Sequence, residues 1–165
     1  MNAEDKAHLD AIMKSFQQRL AKSKDAQEQR QTEEDVGYAE FKRVVSETIR
    51  PAMEDIGNEV KAAGHHYEIS EVRDGRSQRD ARITLAVTII GVPTSAHRRG
   101  DNTVSVSFYR TGATTVTMEA VTQIKKEKND VTGPRGNYAP SEITTDLVQK
   151  EILKVLDAVF SVRWM

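Results

Sequence analysis

The stretch ARITLAVTII, residues 81–90, decides the fold because apolar and polar residues alternate along it. Successive side chains of a strand point to opposite faces, so one face here carries Ile83, Leu85, Val87 and Ile89. The stretch NTVSVSFY, residues 102–109, repeats this pattern. A period of two residues with one polar face is typical of an antiparallel sheet that buries one side.

Two further runs extend this sheet along the chain. HYEISEV at 66–72 precedes it, and TTVTMEAVTQI at 114–124 follows it. The connections are short and contain Gly, as in DGRSQ at 74–78, which favours hairpins. The sequence therefore predicts a four-stranded antiparallel meander, followed by a polar loop over residues 125–139.

Helices are predicted before the sheet. An amphipathic helix is expected over residues 3–21, followed by a polar helical extension or linker over 22–31. A second helix is expected to begin at Thr32, whose hydroxyl can cap the first turn. Pro51 is expected to kink this helix, because its ring clashes with the preceding turn. Gly64 is expected to end it.

A last helix, opened by Pro140 and Ser141, carries a broad apolar face that is expected to pack across the sheet. The predicted fold class is therefore α+β: two N-terminal helices, a four-stranded antiparallel meander sheet, and a C-terminal helix packed on one sheet face. We expect residues 1–31 to form an N-terminal amphipathic helix with a polar extension, and residues 32–165 a single α+β domain. In outline this order of elements resembles small adaptor, secretion-chaperone and immunity-type domains.

Composition excludes several classes of protein. The 165 residues include 24 Lys and Arg against 25 Asp and Glu, giving a net charge of −1, whereas a DNA-coating domain is strongly basic. There is no cysteine, which excludes disulfides, thiolate nucleophiles and zinc–cysteine sites. No stretch approaches the roughly 18 apolar residues of a membrane span, and no signal-peptide pattern is visible. The sequence predicts a cytoplasmic protein that does not enter the membrane.

Motifs for catalysis, metals and cofactors are not found in the sequence. The adjacent His65 and His66 point to opposite faces of a strand, so they cannot bind one metal ion together. The acidic residues at 33–35 fall in a predicted first helical turn, where negative charge is favourable. TGPRGN at 132–137 lacks the lysine of a phosphate-binding loop. We therefore predict no enzymatic activity, no metal and no cofactor.

Basic residues cluster in two loops that a meander brings to the same end of the sheet. We name as the basic rim Arg98, Arg99, Lys125, Lys126 and Arg135, and we place Tyr109 on the polar sheet face beside it. Three interpretations are open: loop tips that keep hairpins soluble, a surface for an acidic protein partner, or a site for nucleic-acid phosphates. The tripeptide at 99–101 also spells an integrin-type motif, which the lack of a secretion signal disfavours.

The first predicted helix has an apolar stripe formed by Leu9, Ile12, Met13, Phe16 and Leu20. This spacing is typical of one helix face. Two other helices already cover the predicted sheet, so the stripe is expected to dock on its own domain or on a second copy, by default as a two-fold dimer. The sequence thus predicts a non-enzymatic intracellular protein-interaction module, of an adaptor, chaperone or immunity-like kind, that self-associates. The alternative is a nucleic-acid-binding protein that uses the basic rim.

Overall fold

Five antiparallel strands form one sheet in the order in which they follow along the chain. The computed structural model describes residues 2–72, 81–91, 102–122 and 132–161. The strands are β1 His66–Val72, β2 Arg82–Thr88, β3 Thr103–Arg110, β4 Val116–Thr122 and β5 Gly133–Tyr138. The first four lie where the alternating pattern predicts them, and their meander order is confirmed.

The fifth strand corrects the prediction of a polar loop over residues 125–139. β5 reads GPRGNY and pairs with the outer edge of β4, with a register shift between Met118 and Glu119. Gly and Pro are depleted in strands, and Pro is tolerated at a sheet edge because it cannot donate to a ladder. The pairing with β4 therefore overrides a composition that is typical of a turn.

The inner face of the sheet forms the core with the helices. Ile83 of β2 lies opposite Phe108 of β3, which lies opposite Met118 of β4, and all three are fully buried. The inward set of β2 and β3 is the one the alternation predicts. Two residues after Phe108 along β3, the next inward-facing residue is Arg110, which pairs with Val116 of β4.

The N-terminal helix corrects a second prediction. A single helix, α1, runs from Ala3 to Val44 without a break at Thr32. Asn2 caps it by accepting a hydrogen bond from the backbone N–H of Asp5 at 2.7 Å. Thr32 caps nothing: its hydroxyl donates to the carbonyl of Glu28 within the helix at 3.0 Å. The predicted division between residues 31 and 32 thus falls inside one helix.

The helix continues past Pro51, as predicted, and it does so through a wide turn. A π-helical turn, Val45–Ile49, joins α1 to α2, Arg50–Ala62, and the N–H of Arg50 donates to the carbonyl of Val45 five residues back. Proline lacks an N–H and crowds the carbonyl four residues before it, and a π turn relieves this crowding by widening the helix. Gly64, at φ +92°, ends α2 as predicted.

The C-terminal helix α3, Thr145–Phe160, follows a short 3-10 turn at Pro140–Glu142. It begins later than predicted, and the hydroxyl of Thr144 caps it by accepting from the N–H of Leu147 at 3.2 Å. α2 packs on β1, β2 and α3, and α3 packs on β3, so both helices cover the inner face. We call the sheet with α2 and α3 the head. In the described part of the chain, no helix is long and apolar enough to cross a membrane.

Candidate interaction surfaces

The first 23 or so residues of α1, which we call the stalk (residues 3–25), are exposed along their whole length. At about 1.5 Å per residue this segment is about 35 Å long. The apolar stripe lies on it, and its exposed fractions are 45% for Leu9, 47% for Ile12, 49% for Met13, 52% for Phe16 and 58% for Leu20. The described structure therefore does not pack the stripe against the chain's own head.

The stalk carries opposite charges in its two halves. Residues 3–10 hold three acidic residues and one lysine, whereas residues 11–25 hold four basic residues and one acidic residue, Asp25. The acidic half lies at the helix N-terminus, where the helix dipole favours negative charge. The stripe runs past both halves, so a partner helix would meet a negative flank at one end and a positive flank at the other.

A buried ion pair fixes α1 to the sheet just beyond the stalk. The guanidinium Nη2 of Arg110 lies 3.2 Å from Oε2 of Glu34, and the side chains are 2% and 25% exposed. The same nitrogen donates to the backbone carbonyl of Glu34 at 3.4 Å, and the guanidinium lies 5.9 Å from the centre of the Tyr38 ring. The predicted first turn at residues 33–35 is wrong: these residues lie inside α1, and Glu34 is paired with Arg110 rather than solvated.

Gly37 sets how closely the helix approaches the sheet at this junction. A Cβ atom added to Gly37 would lie 2.0 Å from the carbonyl oxygen of Ala113, in the β3–β4 turn. Only a residue without a side chain allows this contact. The junction is not predicted from the sequence, although the alternation of residues in β3 contains a signal for it. Arg110 falls on the same face as Val104, Val106 and Phe108.

A half-open cleft of about 320 Å³ lies beside the junction, lined by Glu34, Arg110, Thr111 and Gly112. Its cationic wall is the guanidinium of Arg110, which the carboxylate of Glu34 already neutralises. The junction is thus built as a structural clamp between helix and sheet. An anionic ligand in the cleft would have to compete with a carboxylate of the chain itself.

The outer face of the sheet carries hydroxyl groups that bond to one another. The hydroxyls of Thr84 and Ser107 are 2.8 Å apart across β2 and β3. Thr117 donates to Oδ1 of Asn137 at 2.7 Å across β4 and β5. Ser107 and Thr117 are themselves buried, each at 4% exposed, so these bonds order the sheet face from within rather than offering free hydroxyls to a partner.

Tyr109 lies on this outer face, as predicted, but one side of its ring is already occupied. The guanidinium of Arg82 lies 4.5 Å from the ring centre, and Arg82 also approaches Glu119 at 3.8 Å. Tyr109 is near the end of β3, whereas the loop that contains Arg98 and Arg99 joins the start of β3. Tyr109 therefore lies nearly the length of a strand from Thr103, where β3 begins.

Most of the basic rim lies outside the described residues. This holds for Arg98, Arg99, Lys125 and Lys126. Thr88 pairs with Thr103, and Val104 pairs with Thr122, so the two loops leave the same end of the sheet, as the meander predicts. Arg135 lies on β5 and is exposed. That the basic rim residues form one binding surface stays a prediction.

His65 makes contacts that hold neighbouring elements of the fold together. His65 Nδ1 accepts a hydrogen bond from the N–H of Ile90 at 3.1 Å, and its ring centre lies 5.2 Å from that of Phe160. Among the described residues, no group of three or more His, Asp or Glu could hold a metal ion.

Comparison of this chain with protein-family models, with curated proteins and with solved structures finds no match. The features of the described structure that bear on function are the exposed stalk, the junction and the outer sheet face.

Proposed function

We propose that this protein is a non-enzymatic intracellular interaction module that self-associates through its stalk and presents its head to other proteins. The observation that carries the proposal is the stripe, in which five large apolar side chains on one helix face are about half exposed. Contiguous apolar surface of this kind marks an interaction site. The remainder of the stalk surface is polar and charged, which keeps the helix hydrated outside the stripe.

The strength of the association follows from the area that remains to be buried. Full burial of a large apolar side chain contributes about 1.5–3 kcal/mol, so burying the exposed half of each contributes about 1 kcal/mol. Five side chains from each of two copies then give about 10 kcal/mol. Association costs about 4–15 kcal/mol in lost freedom of motion. At the low end of this cost about 6 kcal/mol remains, which corresponds to a reversible dimer with a Kd on the order of 10–100 μM.

The head suits a partner-binding role better than the stalk does. Its outer face is polar, ordered by internal hydrogen bonds and framed by β1 and β5 as sheet edges. Weak dimerisation through the stalk would give each assembly two such faces, and two linked modules bind a repeated partner more tightly than one. Self-association would thus serve binding by the head.

Sedimentation equilibrium between about 1 and 500 μM tests the self-association, because this range brackets the expected Kd. The paired substitution Leu9→Gln with Phe16→Gln removes stripe surface while keeping good helix formers, and we expect it to shift the protein to monomer. The matched control, Ala11→Gln with Ser15→Gln, changes positions away from the stripe and should leave the dimer intact. A wild-type chain that is monomeric at 500 μM, and unchanged on deletion of residues 1–31, would refute the proposal.

Nucleic-acid binding by the basic rim stays an alternative prediction. Stacking of a base on Tyr109 is disfavoured, because the guanidinium of Arg82 lies over one side of its ring. The described residues favour the protein-interaction proposal, because the exposed stripe is apolar and phosphate backbones are bound by cationic groups.

A further inference from the structure

We infer that the stripe binds the stripe of a second copy in antiparallel orientation, with the two-fold axis crossing the stalk between residues 14 and 15. The inference rests on the proposed self-association and adds the direction of the partner helix and the position of the axis. Three independent properties of the stalk lead to it: the spacing of the stripe, the distribution of charge and the place of the head.

Four of the five stripe residues are symmetric about the inferred axis, and the fifth, Ile12, lies opposite Gln17. Leu9, Met13, Phe16 and Leu20 follow one another at intervals of 4, 3 and 4 residues, which is the alternation of core positions in a coiled coil. Reversing the helix about the point between residues 14 and 15 brings Leu9 opposite Leu20 and Met13 opposite Phe16. Each of these layers then contains two large apolar side chains, one from each copy.

The charges of the stalk favour the same direction. In the antiparallel pair, the acidic positions Asp5 and Asp10 of one copy run alongside the basic positions Arg19 and Lys24 of the other. In a parallel pair, the acidic half would lie beside the acidic half and the basic half beside the basic half. Opposite charges attract and like charges repel across a helix pair, so the parallel alternative is disfavoured along its whole length.

The head does not obstruct the antiparallel pair. Glu34, where α1 joins the sheet, lies about 20 residues from the axis, so the two junctions are about 60 Å apart at 1.5 Å per residue. The stripes meet in the middle, and one head remains at each end with its outer sheet face free. The inferred partner is therefore a second copy of the chain, and the assembly has two well-separated binding faces.

Pulsed electron spin resonance on a spin label measures the direction of pairing. The chain has no cysteine, so Asp25→Cys gives one label per copy, on the stalk but away from the stripe. The antiparallel pair places the two positions about 32 Å apart along the axis. A parallel pair places them within about 20 Å, because packed helices lie about 8–10 Å apart. A distance near 32 Å at 300 μM protein supports the inference, and a short distance overturns it.

Charge reversal gives an independent test on the unlabelled protein. Asp5→Lys with Asp10→Lys places lysines alongside the basic positions Arg19 and Lys24 of the other copy, and at low salt the antiparallel pair should weaken at least tenfold. Adding Arg19→Glu and Lys24→Glu to the same chain reverses the sign of charge at all four positions and should restore the wild-type affinity. In a parallel pair neither variant changes which signs face each other, so equal affinities for all three proteins would overturn the antiparallel arrangement. A wild-type monomer at every concentration would instead overturn the self-association itself.

Discussion

The buried ion pair between Arg110 and Glu34 gives the sharpest test of how the stalk is held. The perturbation is a double-mutant cycle with Glu34→Gln, which removes the charge and keeps the shape, and Arg110→Met, which replaces a buried cation with an apolar chain. The guanidinium is almost fully buried, at 2% exposed, and the carboxylate is 25% exposed. Removing Glu34 therefore leaves a charge in the protein interior without its carboxylate.

The magnitude follows from the distance and the burial. Two unit charges 3.2 Å apart attract by about 5 kcal/mol at an effective dielectric constant near 20. Breaking a fully buried pair costs about 3–5 kcal/mol, and water reaches the carboxylate of Glu34, which lowers the cost. We expect Glu34→Gln to destabilise the head by about 2–3 kcal/mol and the coupling energy between the two residues to be about 2 kcal/mol.

An exposed ion pair between the end of α1 and the π turn supplies a control. Arg43 and Glu47 are 3.0 Å apart, but their side chains are 57% and 61% exposed. Exposed pairs at this spacing contribute about 0.3–0.5 kcal/mol. Urea unfolding followed by circular dichroism gives the free energy of unfolding for each member of both cycles. Coupling energies that agree within about 0.5 kcal/mol would refute the argument, because burial would then have no effect on the strength of the pair.

Three further outcomes are expected. Gly37→Ala should lower the melting temperature, because moving the Ala113 carbonyl away from a new Cβ costs about 1–3 kcal/mol, more than the gain of about 1 kcal/mol in helix propensity; an unchanged or higher value contradicts the close approach. Burial, with the Glu151 carboxylate, raises the pKa of Tyr138 above its ordinary value of 10.0. Since folding favours the neutral phenol, this contribution to stability is fully present below pH 10 and is lost as pH rises through the raised pKa. Melting curves from pH 8 to 11 should therefore fall less steeply above pH 10 for Tyr138→Phe than for the wild type, and parallel curves contradict the shift. If the basic rim binds nucleic acid, oligonucleotide affinity should fall steeply with salt and should weaken in a variant that replaces the arginines at 98–99 with alanine; retained affinity there rules out the rim.

The sheet was the most predictable part of the fold. The inward residues of β2 and β3 follow directly from the period of two, because burial of one face leaves no other register for Ile83 or Phe108. β5 could not be predicted in this way. Its sequence, GPRGNY, contains two Gly and one Pro, and the pairing partner that makes it a strand lies on β4, outside the local sequence.

The N-terminal helix was predictable in part. The apolar stripe predicts the helix over residues 3–21. Residues 22–31 contain few apolar positions, and hydrophobic periodicity cannot detect a helical segment that buries no side chains. Eight of the ten residues at 22–31 are Lys, Gln, Arg, Glu or Ala, which are strong helix formers, and this propensity carries the helix past Thr32. The junction requires a tertiary contact between Glu34 and Arg110, which lie 76 residues apart in sequence.

The π turn at Val45–Ile49 sets the rotational position of the stalk about its own axis. Each α-helical residue advances the helix by about 100°, and the turn accommodates one residue more than a regular helix would. Deleting a single residue there would therefore twist everything upstream by about 100° relative to α2. Glu34 would then no longer contact Arg110, or α2 would no longer pack on the core. In an antiparallel pair, both heads would rotate in this way relative to the stalks. The one extra residue of each π turn would therefore determine the direction in which one head faces relative to the other.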